Sequence, residues 1–157
     1  MYRIFIVEDD ETIAYSIAEK LTSWGFESKV CTDFRDVLSQ TIALEPHLVL
    51  MDISLPFFNG YHWCREIRRV SEVPVMFISS AGDNMNIVMA INMGADDFVS
   101  KPFDMDMLLA KIQALLRRAY DFTASRPAVL QHNGVILNSS ACSVSFEDRK
   151  LELSKNE

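Results

Sequence analysis

Strand-length and helix-length segments alternate five times between Ile4 and Leu116, and that alternation constrains the chain more than any single residue does. Leu48-Val49-Leu50-Met51 is the clearest strand: four apolar residues are too few for a buried helix and read as a strand covered on both faces. It ends abruptly in Asp52, and Pro56 with the turn pair Asn59-Gly60 closes a short loop. Ile4 to Val7, Glu27 to Cys31, Val73 to Ile78 and Phe98 to Lys101 are the other strands. Between them, Ile13, Ile17 and Leu21 keep helical spacing up to Gly25, and Val37, Leu38 and Ile42 do so up to Pro46. A third helix runs from Tyr61 to Val70 with a basic outer face of Arg65, Arg68 and Arg69. A fourth runs from about Asn84 to Met93, and a fifth from Asp104 through Leu108, Leu109, Ile112, Leu115 and Leu116. Such alternation predicts an α/β fold, a five-stranded parallel sheet with helices on both faces and right-handed crossovers.

Past this region the pattern changes. Residues 120–127 are polar and unpatterned, and read as a linker after a domain spanning 1–119. From residue 128 to 157, Val129-Leu130, Val135 to Leu137, Val144 to Phe146 and Leu151 to Leu153 have the spacing of an antiparallel meander. Ser154-Lys155-Asn156-Glu157 then has the form of a capping box, the signature of a helix about to begin.

Composition excludes several classes. No apolar run approaches the ~20 residues of a membrane span, and the first strand begins too early to leave room for a signal peptide, so a cytoplasmic protein is expected. Cys31, Cys64 and Cys142 are odd in number and in no metal-ligand spacing, which favours reduced thiols. The net charge of −7 resides in residues 1–122, where 18 Asp and Glu face 11 Lys and Arg. An acidic surface repels nucleic acid, so this part is not expected to touch DNA.

Set side by side, the strand ends collect chemistry at one rim: Glu8 and Asp9 from the first, Asp52 from the third, Ser79 from the fourth and Lys101 from the fifth. Three carboxylates in one pocket repel one another. A hard divalent cation resolves this, because Mg²⁺ (or Mn²⁺) takes oxygen ligands and leaves room for phosphate oxygens. A carboxylate beside such an ion and a lysine serves as a nucleophile toward phosphorus. Ser79 and Lys101 would then offer a hydroxyl and a cation to the phosphoryl oxygens.

The first ~120 residues resemble the flavodoxin-like receiver domain of bacterial two-component response regulators. The resemblance rests on Val7-Glu8-Asp9-Asp10, Leu50-Met51-Asp52-Ile53-Ser54-Leu55-Pro56, Phe77-Ile78-Ser79, Gly94-Ala95-Asp96-Asp97-Phe98 and Lys101-Pro102-Phe103. Residues 128–157 resemble the N-terminal sheet of the winged-helix effector domain of the OmpR/PhoB class, here truncated. Phe-Ile-Val-Glu-Asp-Asp and Phe-Ile-Ser-Ser are similar to stretches of regulators that answer peptide-antibiotic-sensing kinases in Gram-positive bacteria. The resemblance implies Asp52 as phosphoacceptor for a sensor histidine kinase, with Glu8, Asp9, Asp52 and the Ser54 carbonyl forming the Mg²⁺ site. It implies Lys101 and Ser79 as phosphoryl ligands, Ser79 and Phe98 as switch residues, and a cis peptide before Pro102. It implies a switch rather than an enzyme, with autodephosphorylation at most. Ser79 stands where Thr is common and Phe98 where Tyr is common; Ser80 takes a slot usually filled by a small apolar residue.

The same resemblance implies a homodimer built from the fourth helix, fifth strand and last helix, and DNA contact only through a complete effector domain. Asp96, Asp97, Lys111 and Arg118 match the charge pattern of that dimer face. Ile87 and Met107 stand where a further basic–acidic pair is usual, and Met89 adds to the apolar surface. Dimerisation through such a face is expected to depend less on salt. Two other readings remain open: a receiver-like interaction module that works without phosphorylation, and an enzyme with an aspartyl-phosphate intermediate. The haloacid-dehalogenase form of the latter needs an Asp where Ser54 stands.

Overall fold

A computed structural model describes residues 1–80, 84–121, 129–132, 135–138, 143–146 and 149–152, with side chains described for 1–80 and 88–121. Two compact units divide the chain, Met1–Ala119 and Tyr120–Glu157. In the first, β1 (Arg3–Val7), α1 (Glu11–Ser23), β2 (Glu27–Val30), α2 (Val37–Leu44), β3 (Leu48–Asp52), α3 (Gly60–Arg68), β4 (Val75–Ser79), α4 (Asn84–Asn92), β5 (Asp97–Ser100) and α5 (Met105–Leu116) follow in order. The strands lie β2-β1-β3-β4-β5, all parallel. This is the flavodoxin-like order, whose reversal point falls between β1 and β3, where α/β sheets bind their ligands.

Every residue of β3 and β4 is buried, as strands covered on both faces require. Phe5, Val7, Val49, Met51, Val75 and Phe77 form the middle of a core that α3 closes with Trp63, Cys64 and Ile67. Several boundaries differ from the sequence expectation by one or two residues, and those of the fourth and fifth strands bear on the rim. The fourth strand begins at Val75, because Pro74 has no N–H to give to a ladder. The fifth spans Asp97–Ser100, so Lys101 lies just beyond its end.

Three acidic residues and an asparagine are spent on helix starts rather than on the rim. Asp10, Asp36, Asn59 and Asp104 cap α1, α2, α3 and α5, each accepting a backbone N–H of the first turn. Such caps contribute about 1 kcal/mol each. The acidic run after β1 therefore splits: Asp10 belongs to the helix, while Glu8 and Asp9 are left to the rim.

In the second unit the described backbone forms β6 (Val129–His132), β7 (Val135–Asn138), β8 (Ser143–Phe146) and β9 (Arg149–Glu152), an antiparallel sheet in sequential order. Its register pairs Leu130 with Leu137, Leu137 with Val144 and Val144 with Leu151. Residues 122–127 of the expected linker and the Ser154–Glu157 capping box lie outside the described residues. Among the described residues no helix is long and apolar enough to cross a membrane.

Candidate functional site

The register of β1 on β3 sets Val7 beside Met51, so the next residues, Glu8 and Asp52, leave the sheet together at its carboxyl end. Glu8 is 2% exposed and Asp52 4%, whereas Asp9 is exposed. One carboxylate oxygen from each of Glu8, Asp9 and Asp52 falls within 4.8 Å of the others.

Lys101 is the cation of this cluster. Its backbone N–H donates to the Ser79 carbonyl at 2.8 Å, which fixes where the side chain starts. Its Nζ then lies 2.6 Å from Glu8 Oε2 and 3.2 Å from Asp52 Oδ2. The contact with Glu8 is a close ion pair. Glu8 Oε1 accepts the Asp10 N–H at 3.0 Å, and Asp52 Oδ1 accepts the Ser54 N–H at 3.3 Å.

Burial raises the Glu8 pKa above its ordinary value; Lys101 and the Asp10 N–H oppose that, and the Asp52 charge adds to it. Burial works against the Lys101 ammonium, but Glu8 and Asp52 outweigh it and its pKa is raised. Three carboxylates against one ammonium leave two formal negative charges, the charge one divalent cation neutralises.

The donor set fits such an ion. Octahedral Mg²⁺ with bonds of 2.0–2.1 Å spans about 4.2 Å between opposite ligands. A set spread over as much as 4.8 Å suits an ion held directly by one or two carboxylates and through water by the rest. Glu8, already engaged by Lys101, suits the indirect role; Asp9 and Asp52 suit the direct one.

The other rim residues are nearby but differently placed. Ser79 is fully buried at the end of β4, one strand from Asp52. Ser54 is exposed on the loop. Phe98 is half-buried against the core and borders a hollow of about 220 Å³ with Ala90, Ile91, Ala95, Asp96 and Asp97. The Lys101–Pro102 peptide is cis.

On the expected dimer face, Met89 and Met107 are exposed, together with Val88 and Ile91. The Ile87 side chain lies outside the described residues. Lys111 Nζ reaches Asp97 Oδ1 at 3.1 Å within the chain, and Arg118 is exposed, its Nε 3.4 Å from the Ala114 carbonyl.

Two residues matter more than their sequence signals implied. Arg68 is not part of a solvated basic face: it donates to the carbonyls of Gly94 and Val73 and, at 2.7 Å, to Asp96 Oδ2. Asp96 Oδ2 also accepts the Val75 N–H at 2.9 Å, so this carboxylate is engaged from two sides. Gly60, which reads as a turn residue, starts α3 instead, and a Cβ there would overlap the Asp52 carbonyl oxygen. Only a glycine lets the helix start this close to the end of β3.

A family model for the response regulator receiver domain matches residues 4–113, from the start of β1 into α5. The chain belongs to this family. The receiver is 41% identical over 157 residues to the sensory transduction protein BceR of Halalkalibacterium halodurans, covering all of this chain and 68% of that protein. Among solved structures it is 47% identical to the N-terminal domain of the nisin resistance regulator NsrR, a lantibiotic response regulator, with a TM-score of 0.70 over 74% of this chain and 99% of that one. The Thermotoga maritima OmpR/PhoB homologue DrrB is 28% identical, with a TM-score of 0.68 over 99% of this chain and 68% of that one. These relatives place the receiver with OmpR/PhoB-type regulators, and the family is one of regulatory switches.

Proposed function

We propose that this receiver is switched by Mg²⁺-dependent phosphoryl transfer from a sensor histidine kinase to Asp52. The observation that carries the reading is the recessed Asp52 carboxylate, sharing Lys101 with Glu8 and lying beside Asp9. An Asp52 oxygen attacks phosphorus as the P–N bond to the kinase imidazole breaks; the imidazole keeps the bonding pair and takes a proton from solvent. A bound divalent ion would supply charge neutralisation for the incoming phosphoryl oxygens, held by Asp9 and Asp52 with the Ser54 carbonyl. Lys101 pairs with one phosphoryl oxygen, leaving Glu8, and the Ser79 hydroxyl donates to another.

The switch then runs outward from the rim. Lys101 and Ser79 are tied through backbone, so a shift at either reaches β5, where Phe98 borders the small hollow beneath α4. The surface of α4, β5 and α5 becomes a dimer interface, with Val88, Met89, Ile91 and Met107 as its apolar part and Ile87 beside them. Lys111 with Asp97, and Arg118, form its charged rim; Asp96 joins it only by sharing its carboxylate with Arg68. Residues 128–157 are read as the first sheet of a winged-helix domain that contacts DNA when complete, and the protein is read with the peptide-antibiotic regulators. Asp52→Asn tests the core of this: incubation with phosphoramidate and Mg²⁺ should phosphorylate the wild type and leave the folded variant unmodified. Equal phosphate incorporation by both would move the acceptor elsewhere.

A further inference from the structure

The loop that follows the phosphoacceptor carries two consecutive phenylalanines turned toward solvent. Phe57 is 64% exposed and Phe58 47%, while Phe5 and Phe77 are buried and Phe34 and Phe98 pack against the core. Single exposed apolar residues need no explanation. A pair held in a strained turn does. Phe58 N–H donates to the Pro56 carbonyl at 2.9 Å, so Phe57 is the central residue of a γ-turn, and its φ is +68°. The positive-φ γ-turn is rare and strained, and a bulky residue there is an outlier. Backbone strain of this kind persists where the surroundings enforce it and clusters at functional sites.

The surroundings do enforce it. Gly60 N–H donates to the Ile53 carbonyl at 2.8 Å and closes the loop at its base. The Arg35 guanidinium sits 4.7 Å from the centre of the Phe57 ring. Phe58 stacks on His62 at 4.4 Å and meets Trp63 edge-on at 5.6 Å. Both rings are thus pre-oriented, which lowers the entropy lost when a partner covers them.

We propose that Phe57 and Phe58 form the docking surface for the phosphohistidine-bearing protein that delivers the phosphoryl group. The proposal rests on the reading of Asp52 as phosphoacceptor and names how its donor is held. Asp52 is recessed, and the loop leaving it is part of the rim any donor protein must cross. The acidic cluster repels the donor's phosphoryl charge, so the energy of association has to come from beside the cluster, and buried aromatic anchors supply it. A second copy of the chain seated on this loop would cover Asp52 and block transfer. A small phosphodonor needs no such docking.

The test compares two donors on the same proteins: phosphoramidate, and the cytoplasmic part of a sensor histidine kinase that phosphorylates the wild type. The variants are Phe57→Asn, whose side chain tolerates positive φ, and Phe58→Ser, singly and together. Phosphoramidate should label Asp52 in the double variant at the wild-type rate, while kcat/KM for the kinase falls about tenfold or more, mainly through KM. If the double variant does not fold, the single variants carry the same comparison. Unchanged transfer from the kinase overturns the proposal. Equal slowing with both donors also overturns it, since the loop would then be shaping the Asp52 pocket. If phosphoramidate fails to label the wild type, the phosphoacceptor reading falls, and this proposal with it.

Discussion

Lys101 Nζ stands closer to Glu8 than to Asp52, 2.6 Å against 3.2 Å. In the resting receiver the cation therefore belongs first to a residue that is not the expected phosphoacceptor. Lys101→Ala leaves two buried carboxylates facing each other without a counter-charge. Breaking a buried pair from one side costs a few kcal/mol, reduced here because Glu8 protonates readily. The variant should lose roughly 2–4 kcal/mol in metal-free urea unfolding. Millimolar Mg²⁺ should restore more stability to it than to the wild type, since a divalent ion replaces the missing charge. An identical Mg²⁺ increment in both proteins would show that ion and lysine do not answer the same charges.

Arg68 and Arg65 provide a contrast on one helix. Arg68→Ala removes donors to Gly94, Val73 and Asp96 at a site only a quarter exposed and should cost about 2–3 kcal/mol. Arg65→Ala, on the exposed side of the same helix, should stay within about 0.5 kcal/mol. Equal losses in thermal or urea unfolding would return Arg68 to the solvated face.

The dimer reading is tested on α4 and α5. A carboxylate at Met107 or Ile87 would be desolvated at the interface, costing upwards of about 1.4 kcal/mol, a factor of ten in the dissociation constant. Sedimentation of phosphorylated Met107→Glu and Ile87→Glu should show that weakening, and the wild-type constant should vary little with salt. Wild-type dimerisation in both variants would place the interface on another face.

His47 gives the fold a pH dependence far from the phosphoacceptor. Its Nδ1 accepts the Arg3 N–H at 2.9 Å, which only an unprotonated nitrogen does. Burial, and then the nearby Arg3 and N-terminal charges, hold its pKa below the ordinary 6.5. The unfolded chain thus binds a proton more readily than the folded one. This contribution is complete above about pH 6.5 and is lost as pH falls through the lowered folded value. Asn at this position offers an acceptor that does not titrate. Urea midpoints of His47→Asn should fall less between about pH 7.5 and pH 5.5 than those of the wild type. Parallel curves would assign the acid sensitivity to carboxylates alone.

What the sequence made legible follows from range. Leu48 to Met51 and Val75 to Ile78 announce buried strands by themselves, and their order forces the carboxyl ends to one rim. Asp52, Glu8, Asp9 and Lys101 could be grouped because each lies at the carboxyl end of a strand or within two residues of it. Arg68 could not, because helical spacing identifies a face but not a carbonyl 26 residues away that folds over it. Gly60 was hidden for a similar reason: an Asn-Gly pair suits a turn and a helix start equally well. Only the approach of the Asp52 carbonyl decides between them. The strain at Phe57 is a backbone angle and has no letter in the sequence.

The C-terminal end of α4 is tied to its neighbour α3, with Cys64 Sγ on the Met93 carbonyl at 3.3 Å and Arg68 on Gly94. The N-terminal end of α4 follows β4 and the Ser79 that would meet the phosphoryl group. Nine residues make a rod about 13 Å long. Pinned at one end, such a rod converts a tilt of about 10° into a displacement of about 2 Å at the other, by the same geometry. A tilt of the helix about the Arg68 contact would put the largest travel at the end that follows β4, and would set the arc for Val88, Met89 and Ile91.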